Sequence, residues 1–406
     1  MRRVVITGLG AIAPTGKNVG EIWQSALDKK HGIGPITKFD TTDFKVKLAA
    51  EIKDFHVADF LDKQEAKRMD AFTQYALIAA KEAMEDSGLT DYDPYRFGTY
   101  ISSGIGGMET FSSEYEKLLN RGPKRVSVFF IPMLISNMAA GQVAIHFGLK
   151  GSAMSTVTAC SSSANAIGEA YRAIKDGYMD LNLAGGSEAS ITPIGLAGFS
   201  TMGAVTFTED IDRASIPFDK DRSGFVMGEG GAILLLEELE HAKKRGAKIY
   251  GEIVGYGSTC DAGHITAPDE TAEGAIKAME MSFPEDLSGE IYINAHGTST
   301  PLNDALETKA IKKALKDHLP DVHVSSTKSM TGHLLGAAGA IESIYCIKAL
   351  NEKIIPPTLG LINQDPECDL DYTALEPKEA DVNLALSMSL GFGGHNVCLA
   401  FRSYDE

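Results

Sequence analysis

The chain has 406 residues, of which 44% are hydrophobic and 23% charged, a composition typical of a globular protein long enough for two or three domains. Its formal net charge is −17, whereas proteins that bind nucleic acid generally have an excess of basic residues. No apolar run approaches the ~18 residues that a membrane-spanning helix needs. We therefore expect a cytoplasmic protein that binds neither nucleic acid nor a membrane.

Short β-like runs alternate with helical stretches along the whole chain. In the first part we predict strands and helices in turn, at residues 3–7 (strand), 70–87 (helix), 100–103 (strand), 137–147 (helix), 180–186 (strand), 232–236 (strand) and 237–245 (helix). The second series has predicted elements at residues 249–256 (strand), 291–295 (strand), 304–316 (helix), 383–390 (strand) and 397–401 (strand). The pattern predicts an α/β protein of two similar halves that share one core, residues 1–248 and 249–406.

The sequence GLGAIA at residues 8–13 follows the first strand and fits the dinucleotide fingerprint G-x-G-x-x-A. That fingerprint requires a helix directly after the glycines, but Pro14 and Gly16 interrupt any helix at this point. No acidic residue ends a second strand about 20 positions later, as the fingerprint also requires. We therefore predict a tight strand-to-loop turn here and no nucleotide site.

Residues 155–175 align with residues 328–348, a segment 173 positions later, and the alignment places Cys160 on His333. Each segment runs from a turn of small residues into a helix-like stretch. If the two halves pack about a pseudo-twofold axis, the starts of these helices face each other. The alignment then predicts that a thiol and an imidazole meet in one pocket.

Of five widely spaced cysteines, only one has a setting that favours reactivity. No C-x-x-C pattern is present, which disfavours a disulfide framework and a cysteine-ligated zinc site. Cys160 lies in TACSSS at residues 158–163, at the start of a helix whose dipole and free N–H groups favour the thiolate. A cysteine at an arbitrary position is more often an inert core residue, but this setting indicates a nucleophile.

Three further segments place polar side chains among glycines and alanines. His296 ends a predicted strand, where an imidazole can polarise a carbonyl or move a proton. Lys328 and His333 precede a helix of very small side chains, and Glu342 is the candidate partner of Lys328. Phe392 lies in a glycine-rich turn that can aim a backbone N–H into a site.

In this order, the four segments resemble the β-ketoacyl-acyl carrier protein synthase family of the thiolase superfamily, and most closely its enzymes of dissociated bacterial fatty acid synthesis. The resemblance extends to SGIGG at residues 103–107 and to residues 217–230, so it covers essentially the whole chain. It implies a thiolase-like five-layered αβαβα fold built from two duplicated halves. The absence of a linker or an appended domain favours a free-standing enzyme.

The resemblance also implies a ping-pong condensation. In the family pattern Cys160 is the nucleophile, His296 and His333 are the paired imidazoles, Lys328 adjusts the electrostatics, and Phe392 is a gate. The backbone N–H groups of Cys160 and Phe392 would form the oxyanion hole. An acyl group passes from its carrier to the cysteine, and a malonyl group then loses CO₂ and attacks the acyl-enzyme. Loss of CO₂ drives the step, so no cofactor is expected.

The implied partners are acyl carrier protein, acyl- or malonyl-loaded through phosphopantetheine, and a second copy of the chain in a homodimer. The phosphopantetheine arm is expected near Thr298 and Thr300, with Thr266 as a further substrate contact. Ile105 is expected to limit the acyl pocket. Carrier docking is expected at four basic residues, Lys67, Arg68, Lys124 and Arg125.

Two positions depart from the commonest family pattern. Met388 stands where relatives commonly carry asparagine. Some relatives hold a structural monovalent cation in this region, near the positions of Asn294 and Glu342, and Met388 puts that ion in doubt here; no other metal is expected. His395 replaces the threonine of many members, although a subset also carries histidine.

Three other functions are weighed against this one. A type II polyketide ketosynthase would differ in its starter group and in having a heterodimeric partner. A non-catalytic subunit of the chain-length-factor kind typically lacks the nucleophile, so Cys160 counts against it. A biosynthetic thiolase uses a second cysteine near the C-terminal glycine turn, where this chain has His395.

Overall fold

A computed structural model describes residues 2–404 of the protein. Its strands are β1 (Val4–Ile12), β2 (Ile33–Pro35), β3 (Leu48–Ala50), β4 (Phe97–Ser102), β5 (Ala153–Met154), β6 (Leu181–Glu188), β7 (Gly230–Glu238), β8 (Gly251–Cys260), β9 (Glu290–Asn294), β10 (Val322–Ser325), β11 (Ile354–Ile355), β12 (Lys378–Glu379), β13 (Val382–Gly391) and β14 (His395–Arg402).

The α-helices are α1 (Val19–Leu27), α2 (Lys63–Ala66), α3 (Ala71–Ser87), α4 (Met108–Arg121), α5 (Phe130–Leu134), α6 (Met138–Phe147), α7 (Ser162–Lys175), α8 (Pro193–Thr201), α9 (Leu239–Lys244), α10 (Glu273–Ser282), α11 (Pro301–Leu315), α12 (Lys328–Thr331) and α13 (Ala338–Glu352). Short 3-10 helices occur at Val57–Asp59, Pro94–Arg96, Pro123–Arg125, Ala159–Ser161, Ile211–Arg213, Lys316–Asp321 and Leu335–Ala337.

Ten of the strands form one sheet in the order β10-β9-β13-β14-β8-β1-β7-β6-β4-β5. On one side, β4 is parallel to β5 and β6, and β7 is antiparallel to β6 and β1. On the other side, β9 is parallel to β10 and β13, and β14 is antiparallel to β13 and β8. The two groups of five strands have the same pattern about the β1–β8 junction, which confirms the predicted duplication of the fold.

The helices form three layers, one between the two groups of strands and one on the outer face of each group. The central helices α7 and α13 contact each other and strands of both groups. Helices α3 and α6 cover the outer face of the first group, while α10 packs on the outer face of the second and α11 packs against α10. Side chains of β14 alternate accordingly, with Val397 and Leu399 in the central core and Cys398 and Ala400 in the outer one. The arrangement is the five-layered one that the resemblance implied.

The glycines at residues 8–13 lie inside a strand, so the predicted tight turn is wrong. A Cβ at Gly8 would lie 2.2 Å from Ala83 O, and one at Gly10 would lie 2.0 Å from Ala79 O. Only glycine therefore lets the backbone of α3 lie directly on β1. No helix follows the glycines directly, because β1 continues to Ile12, so the dinucleotide fingerprint lacks the structure that it requires.

The alignment that paired Cys160 with His333 is out of register by three residues. Ala159 and Leu335 share an unusual positive φ, 50° and 48°, and each begins a 3-10 helix that leads into α7 or α13. The structural counterpart of Cys160 is therefore Gly336. Runs of small residues match in several registers, and a shift of about one helical turn keeps the same face of a helix inward.

All strands and helices predicted from the sequence are present, with ends shifted by several residues in places. The elements that were not predicted are the helices α1, α2, α4, α5, α8, α10 and α12 and the strands β2, β3, β5, β10, β11 and β12. The apolar residues of α4, such as Phe111 and Leu119, recur at helical spacing, so the sequence pattern would have allowed this helix to be predicted; the face that they form is exposed in the single chain. The division at residue 248 stays a prediction, and residues 1, 405 and 406 lie outside the described residues. Between residues 2 and 404, no helix is long and apolar enough to cross a membrane.

Candidate active site

A strained turn holds Cys160 in front of α7. Ala159 has a φ of 50°, a conformation that costs a non-glycine residue about 1–3 kcal/mol. Ser161 N donates to Thr158 O at 3.0 Å, and Ser162 Oγ donates to Ala159 O at 2.7 Å, which closes the turn. Cys160 is only 8% exposed and lines a cavity of about 390 Å³.

Burial raises the pKa of the Cys160 thiol to about 12, and the positive charge of Lys328 offsets this only in part. The resting thiol is therefore protonated at neutral pH. This differs from the sequence prediction of a thiolate stabilised by the start of a helix, because the cost of desolvating the sulfur charge outweighs the local dipole. The thiol proton must leave as the sulfur attacks.

His296 and His333 lie side by side in the same cavity, with ring centroids 5.4 Å apart and ring planes at 84°. The Nδ1 atom of His333 accepts the backbone N–H of Leu335 at 3.2 Å, and the Nδ1 atom of His296 lies 3.4 Å from Lys328 Nζ. Each imidazole therefore carries its proton on Nε2. Burial and the charge of Lys328 hold the pKa of both rings well below 6.5, so both are neutral donors at neutral pH.

Lys328 is buried and donates to Glu342 Oε1, so the predicted partner is present. Burial raises the pKa of Glu342 to about 7, although the cation beside it favours the carboxylate. The same cation lies beside His296 and opposes protonation of both histidines. Lys328, held in place by Glu342, therefore keeps a positive charge next to the imidazoles.

Glu307 is a site residue that the sequence analysis missed. From α11, its carboxylate accepts the backbone N–H groups of His296 at 2.6 Å and Gly297 at 2.7 Å. Burial raises its pKa to about 7. In the predicted helix at residues 304–316, Asp304, Glu307 and Thr308 share one face at helical spacing, but a polar face is the ordinary pattern of a solvent-exposed helix surface and did not mark Glu307 as a site residue.

The backbone of His333 is fixed by the first half of the chain. Its N–H donates to Val226 O at 2.8 Å, and its carbonyl accepts Gly228 N at 2.9 Å. The ring of Phe225 lies edge-on to the imidazole, with centroids 5.1 Å apart. The cavity is thus assembled from both halves, as the duplication predicted.

The cavity also contains most of the predicted substrate contacts. Thr298 and Thr300 line it, with their hydroxyl oxygens 3.0 Å apart, and Thr266 and Phe392 lie along its wall. Ile105 is half-buried against the apolar cluster that contains Cys160. The remaining lining comes from Phe199, Met202, Gly203, Ala204, Phe225, Asp261, Ala267, Pro268, Pro301, Leu302, Asn303, Leu390, Gly391, Gly394 and Asn396.

The four basic residues predicted to dock the carrier are all exposed. Lys67 and Arg68 directly follow α2, and Lys124 and Arg125 lie in the 3-10 helix after α4. The guanidinium of Arg68 lies 5.5 Å from the ring centroid of Phe129, so the first basic pair lies beside the segment that follows the second.

The predicted cation region contains buried oxygens without hydrogen-bond partners. They are Glu342 Oε2, Ser387 Oγ and Ser389 Oγ, and Ser387 pairs with Asn294 across β13 and β9. Oxygen ligands of this kind fit a monovalent cation. The side chain of Met388 packs in the outer core cluster and does not fill this space. No group of three or more His, Cys, Asp or Glu suited to a metal occurs within residues 2–404.

Comparisons with known families agree over most of the chain. Residues 1–242 match the family model "Beta-ketoacyl synthase, N-terminal domain", and residues 250–361 match "Beta-ketoacyl synthase, C-terminal domain". A protein named 3-oxoacyl-[acyl-carrier-protein] synthase 2 from Synechocystis sp. is 51% identical, over 99% of this chain and 98% of that protein. The protein of the same name from Staphylococcus aureus is 49% identical, over 100% and 99%.

Solved structures of similar shape are also ketosynthases. The ishigamide ketosynthase/chain length factor has a TM-score of 0.92 and 33% identity, covering 100% of both chains. A beta-ketoacyl synthase from Burkholderia phymatum has a TM-score of 0.92 and 34% identity, with the same coverage. A type II polyketide ketosynthase in complex with its acyl-carrier protein and bound to a hexaketide has a TM-score of 0.90 and 33% identity, over 99% and 100%.

Proposed function

The chain belongs to the beta-ketoacyl synthase family, and we propose that it is a 3-oxoacyl-[acyl-carrier-protein] synthase of type II, an acyltransferase that lengthens fatty acyl chains by two carbons. The observation that carries the proposal is one cavity holding a cysteine on a helix-start turn together with two neutral histidines. A non-catalytic subunit would not need that set. The expected cytoplasmic location stays a prediction.

In the first half-reaction, the Cys160 sulfur attacks the thioester carbon of an acyl carrier. The new carbon–sulfur bond forms as the carrier's carbon–sulfur bond breaks, and the proton from Cys160 leaves with the carrier thiol. The negative charge that develops on the carbonyl oxygen is stabilised by the N–H groups of Cys160 and Phe392. Support for this comes from Gly391, where a Cβ would lie 3.3 Å from Cys160 N, so the gate loop and the nucleophile turn are in contact.

In the second half-reaction, a malonyl carrier loses its carboxylate as CO₂, and the bonding electrons become an enolate at the thioester. The Nε2–H groups of His296 and His333 donate to the enolate oxygen, which stabilises a charge that is absent in the ground state. The enolate carbon then attacks the acyl-enzyme, the bond to Cys160 breaks, and the 3-oxoacyl product leaves on its carrier. The sulfur is released with its electron pair and regains a proton.

Carrier docking is proposed at the exposed basic face of Lys67, Arg68, Lys124 and Arg125. In a chain with a net charge of −17, a local cluster of cations is a preferred landing site for an acidic partner. The phosphopantetheine arm is proposed to bind along Thr298 and Thr300, whose hydroxyls suit its amides. Acyl chain length depends on the pocket beside Ile105.

Reversing two charges on this face should weaken docking without altering the chemistry. For the variant with Lys67→Glu and Arg68→Glu, we expect the KM for acyl carrier to rise roughly tenfold, with kcat near that of the unchanged protein. Steady-state kinetics at low and high salt measure it, because added salt should shrink the difference. The matched control reverses two exposed lysines of α10 and α11, Lys277→Glu with Lys313→Glu. Equal KM values in the two variants would discard the docking face.

A homodimer is proposed through the edge of the sheet at β5. Both residues of this outer strand are exposed, whereas Val324 of the opposite edge strand donates to Asp371 O at 2.9 Å. Exposed apolar side chains lie in the segment before β5, which reaches that strand through the packing of α6 on it; they include Leu119 at 67%, Val128 at 88%, Ile131 at 57% and Ile145 at 71% exposure. An uncovered edge strand beside such a patch favours pairing with a second copy.

The dimer can be tested by placing a charge at its proposed centre. We expect light scattering to give a mass of about twice 43.4 kDa for the unchanged protein and a shift toward the monomer for Met154→Asp, because an unpaired charge in a closed apolar interface is strongly unfavourable. Met281→Asp is the matched control, since Met281 is similarly exposed but lies on α10. A monomeric unchanged protein, or dimers of both variants, would contradict the proposal.

The function is tested by incubating the protein with carriers loaded with acyl groups from butanoyl to hexadecanoyl, followed by malonyl carrier. Peptide mass spectrometry should find the acyl adduct on Cys160, and the product should be longer by two carbons. A protein that acts only on poly-oxo chains, or only with a second type of subunit, would instead be a polyketide ketosynthase. Absence of any adduct from folded protein would favour a non-catalytic role.

A further inference from the structure

Glu188, the last residue of β6, is a fully buried carboxylate that the reaction described above does not use. Its Oε1 atom accepts the hydroxyls of Ser103 at 3.0 Å and Ser190 at 2.9 Å. Its Oε2 atom accepts the backbone N–H groups of Gly104 at 2.9 Å and Gly336 at 3.1 Å. Burial raises its pKa, and the four donors that converge on it oppose that rise by favouring the ionised carboxylate.

The two backbone donors belong to turns that support the reacting groups. Gly104 backs onto the nucleophile turn, because a Cβ on it would lie 3.2 Å from the carbonyl oxygen of Ala159, the residue before Cys160. Gly336 directly follows the residue whose N–H donates to His333 Nδ1. The two glycines are also in contact, since a Cβ on Gly336 would lie 2.1 Å from Gly104 N.

We propose that Glu188 is a positioning residue that fixes Cys160 relative to His333 by clamping the Gly104 and Gly336 turns together. Gly104 belongs to the first half of the chain and Gly336 to the second, so one carboxylate oxygen joins the halves directly behind the cavity. The inference rests on the proposed function for its kinetic readout. It assigns no contact between Glu188 and the substrate.

Two substitutions separate the clamp from the charge. In Glu188→Gln, the amide oxygen can take the place of Oε2 and accept both N–H groups, while its NH₂ group faces the two serine hydroxyls, which can accept. In Glu188→Ala, both buried N–H groups lose their acceptor. We expect Glu188→Ala to lower kcat for condensation about 100-fold with little change in KM, because small misplacements of reacting groups have effects of this size. Glu188→Gln should retain most of the kcat.

A second readout is the pH dependence of Cys160 alkylation by iodoacetamide, measured in a Cys260→Ser background because Cys260 is an exposed thiol. Burial is the main cause of the raised pKa of Cys160, and the charge of Glu188 raises it further. Removing that charge in Glu188→Gln should move the alkylation curve to lower pH while the clamp stays closed. The shift would show that Glu188 is ionised and close to Cys160, as the clamp requires; a curve that stays in place would show that it is not.

The matched control is Glu237→Ala, which removes another fully buried carboxylate, held by Thr7 and Arg245 at the opposite end of the β6–β7 pair from Glu188. The proposal is overturned if Glu188→Ala loses no more kcat per folded molecule than this control. It is also overturned if Glu188→Gln is as impaired as Glu188→Ala, or if its alkylation curve does not move. If Glu188→Ala does not fold, the Glu188→Gln results decide. Failure of the unchanged protein to condense would contradict the proposed function alone, and the alkylation curves would still test the clamp.

Discussion

Replacing Cys160 by alanine should abolish condensation, with kcat falling by roughly 10⁴-fold or more, because no other group in the cavity can form the acyl-enzyme bond. His296 and His333 are held by backbone and lysine contacts that do not involve the cysteine, so the cavity should keep its shape. The measurement is formation of the 3-oxoacyl product from acyl carrier and malonyl carrier, together with the intact mass of the protein after incubation with acyl carrier alone.

The control for this substitution is Cys398→Ala. Cys398 is also fully buried, and burial also raises the pKa of its thiol to about 12, but it lies on β14 in the outer core cluster. It should keep both the acyl adduct and the condensation, with some loss of stability from the missing sulfur. Normal product formation by Cys160→Ala would reject the nucleophile assignment, whatever the result with the control.

Much of the site could be predicted because its chemistry lies in short contiguous segments. Cys160, His296, His333 and Phe392 each stand among small residues, which is an unusual setting in a sequence, and the structure brings all four to one cavity. The expected meeting of thiol and imidazole is also present, although the alignment behind it was shifted by three residues. The shift did not change the prediction of a shared pocket, because both segments lead into the same central layer of helices.

The features of the site that were not predicted depend on which groups are buried, and a sequence pattern does not report burial. Glu307 and Glu188 look like ordinary helix and strand-end acids in the sequence, yet each accepts backbone N–H groups of turns that carry site residues. The protonated state of Cys160 follows from how completely the pocket excludes water. Gly8 and Gly10 were assigned to a turn because the closeness of α3 to β1 is a tertiary fact.

The duplicated fold explains how opposite demands on charge are met in one cavity. The nucleophile comes from the first half and the imidazoles from the second, and both face one cavity, with the cation of Lys328 buried beside it. Lys328 and Glu342 place a paired cation beside the histidines, where it keeps them neutral, and the same cation favours the thiolate when Cys160 ionises. One fixed charge therefore assists both half-reactions.

Replacing His333 by alanine should lower the rate of malonyl decarboxylation about 10²–10³-fold, the usual cost of losing one donor to a developing oxyanion. Acylation of Cys160 should change much less, because that step does not use the imidazole. The measurement is CO₂ release from malonyl carrier, with acyl transfer to Cys160 followed separately.

His333→Asn is the matched variant, because its amide keeps a donor in the same region and should recover part of the rate. In the unchanged protein, protonation of the imidazoles should not lower the rate near pH 6.5, the ordinary pKa of an imidazole. The pKa of both rings is held well below that value by burial and by Lys328, so they lose their neutral form only in more acidic solution. The groups of the site that titrate near pH 6.5 are Glu307 and Glu342, because burial raises the pKa of each carboxyl to about 7. Titration of the His333 ring itself near pH 6.5, followed by NMR, or an undiminished rate in His333→Ala, would show that a neutral His333 does not stabilise the enolate.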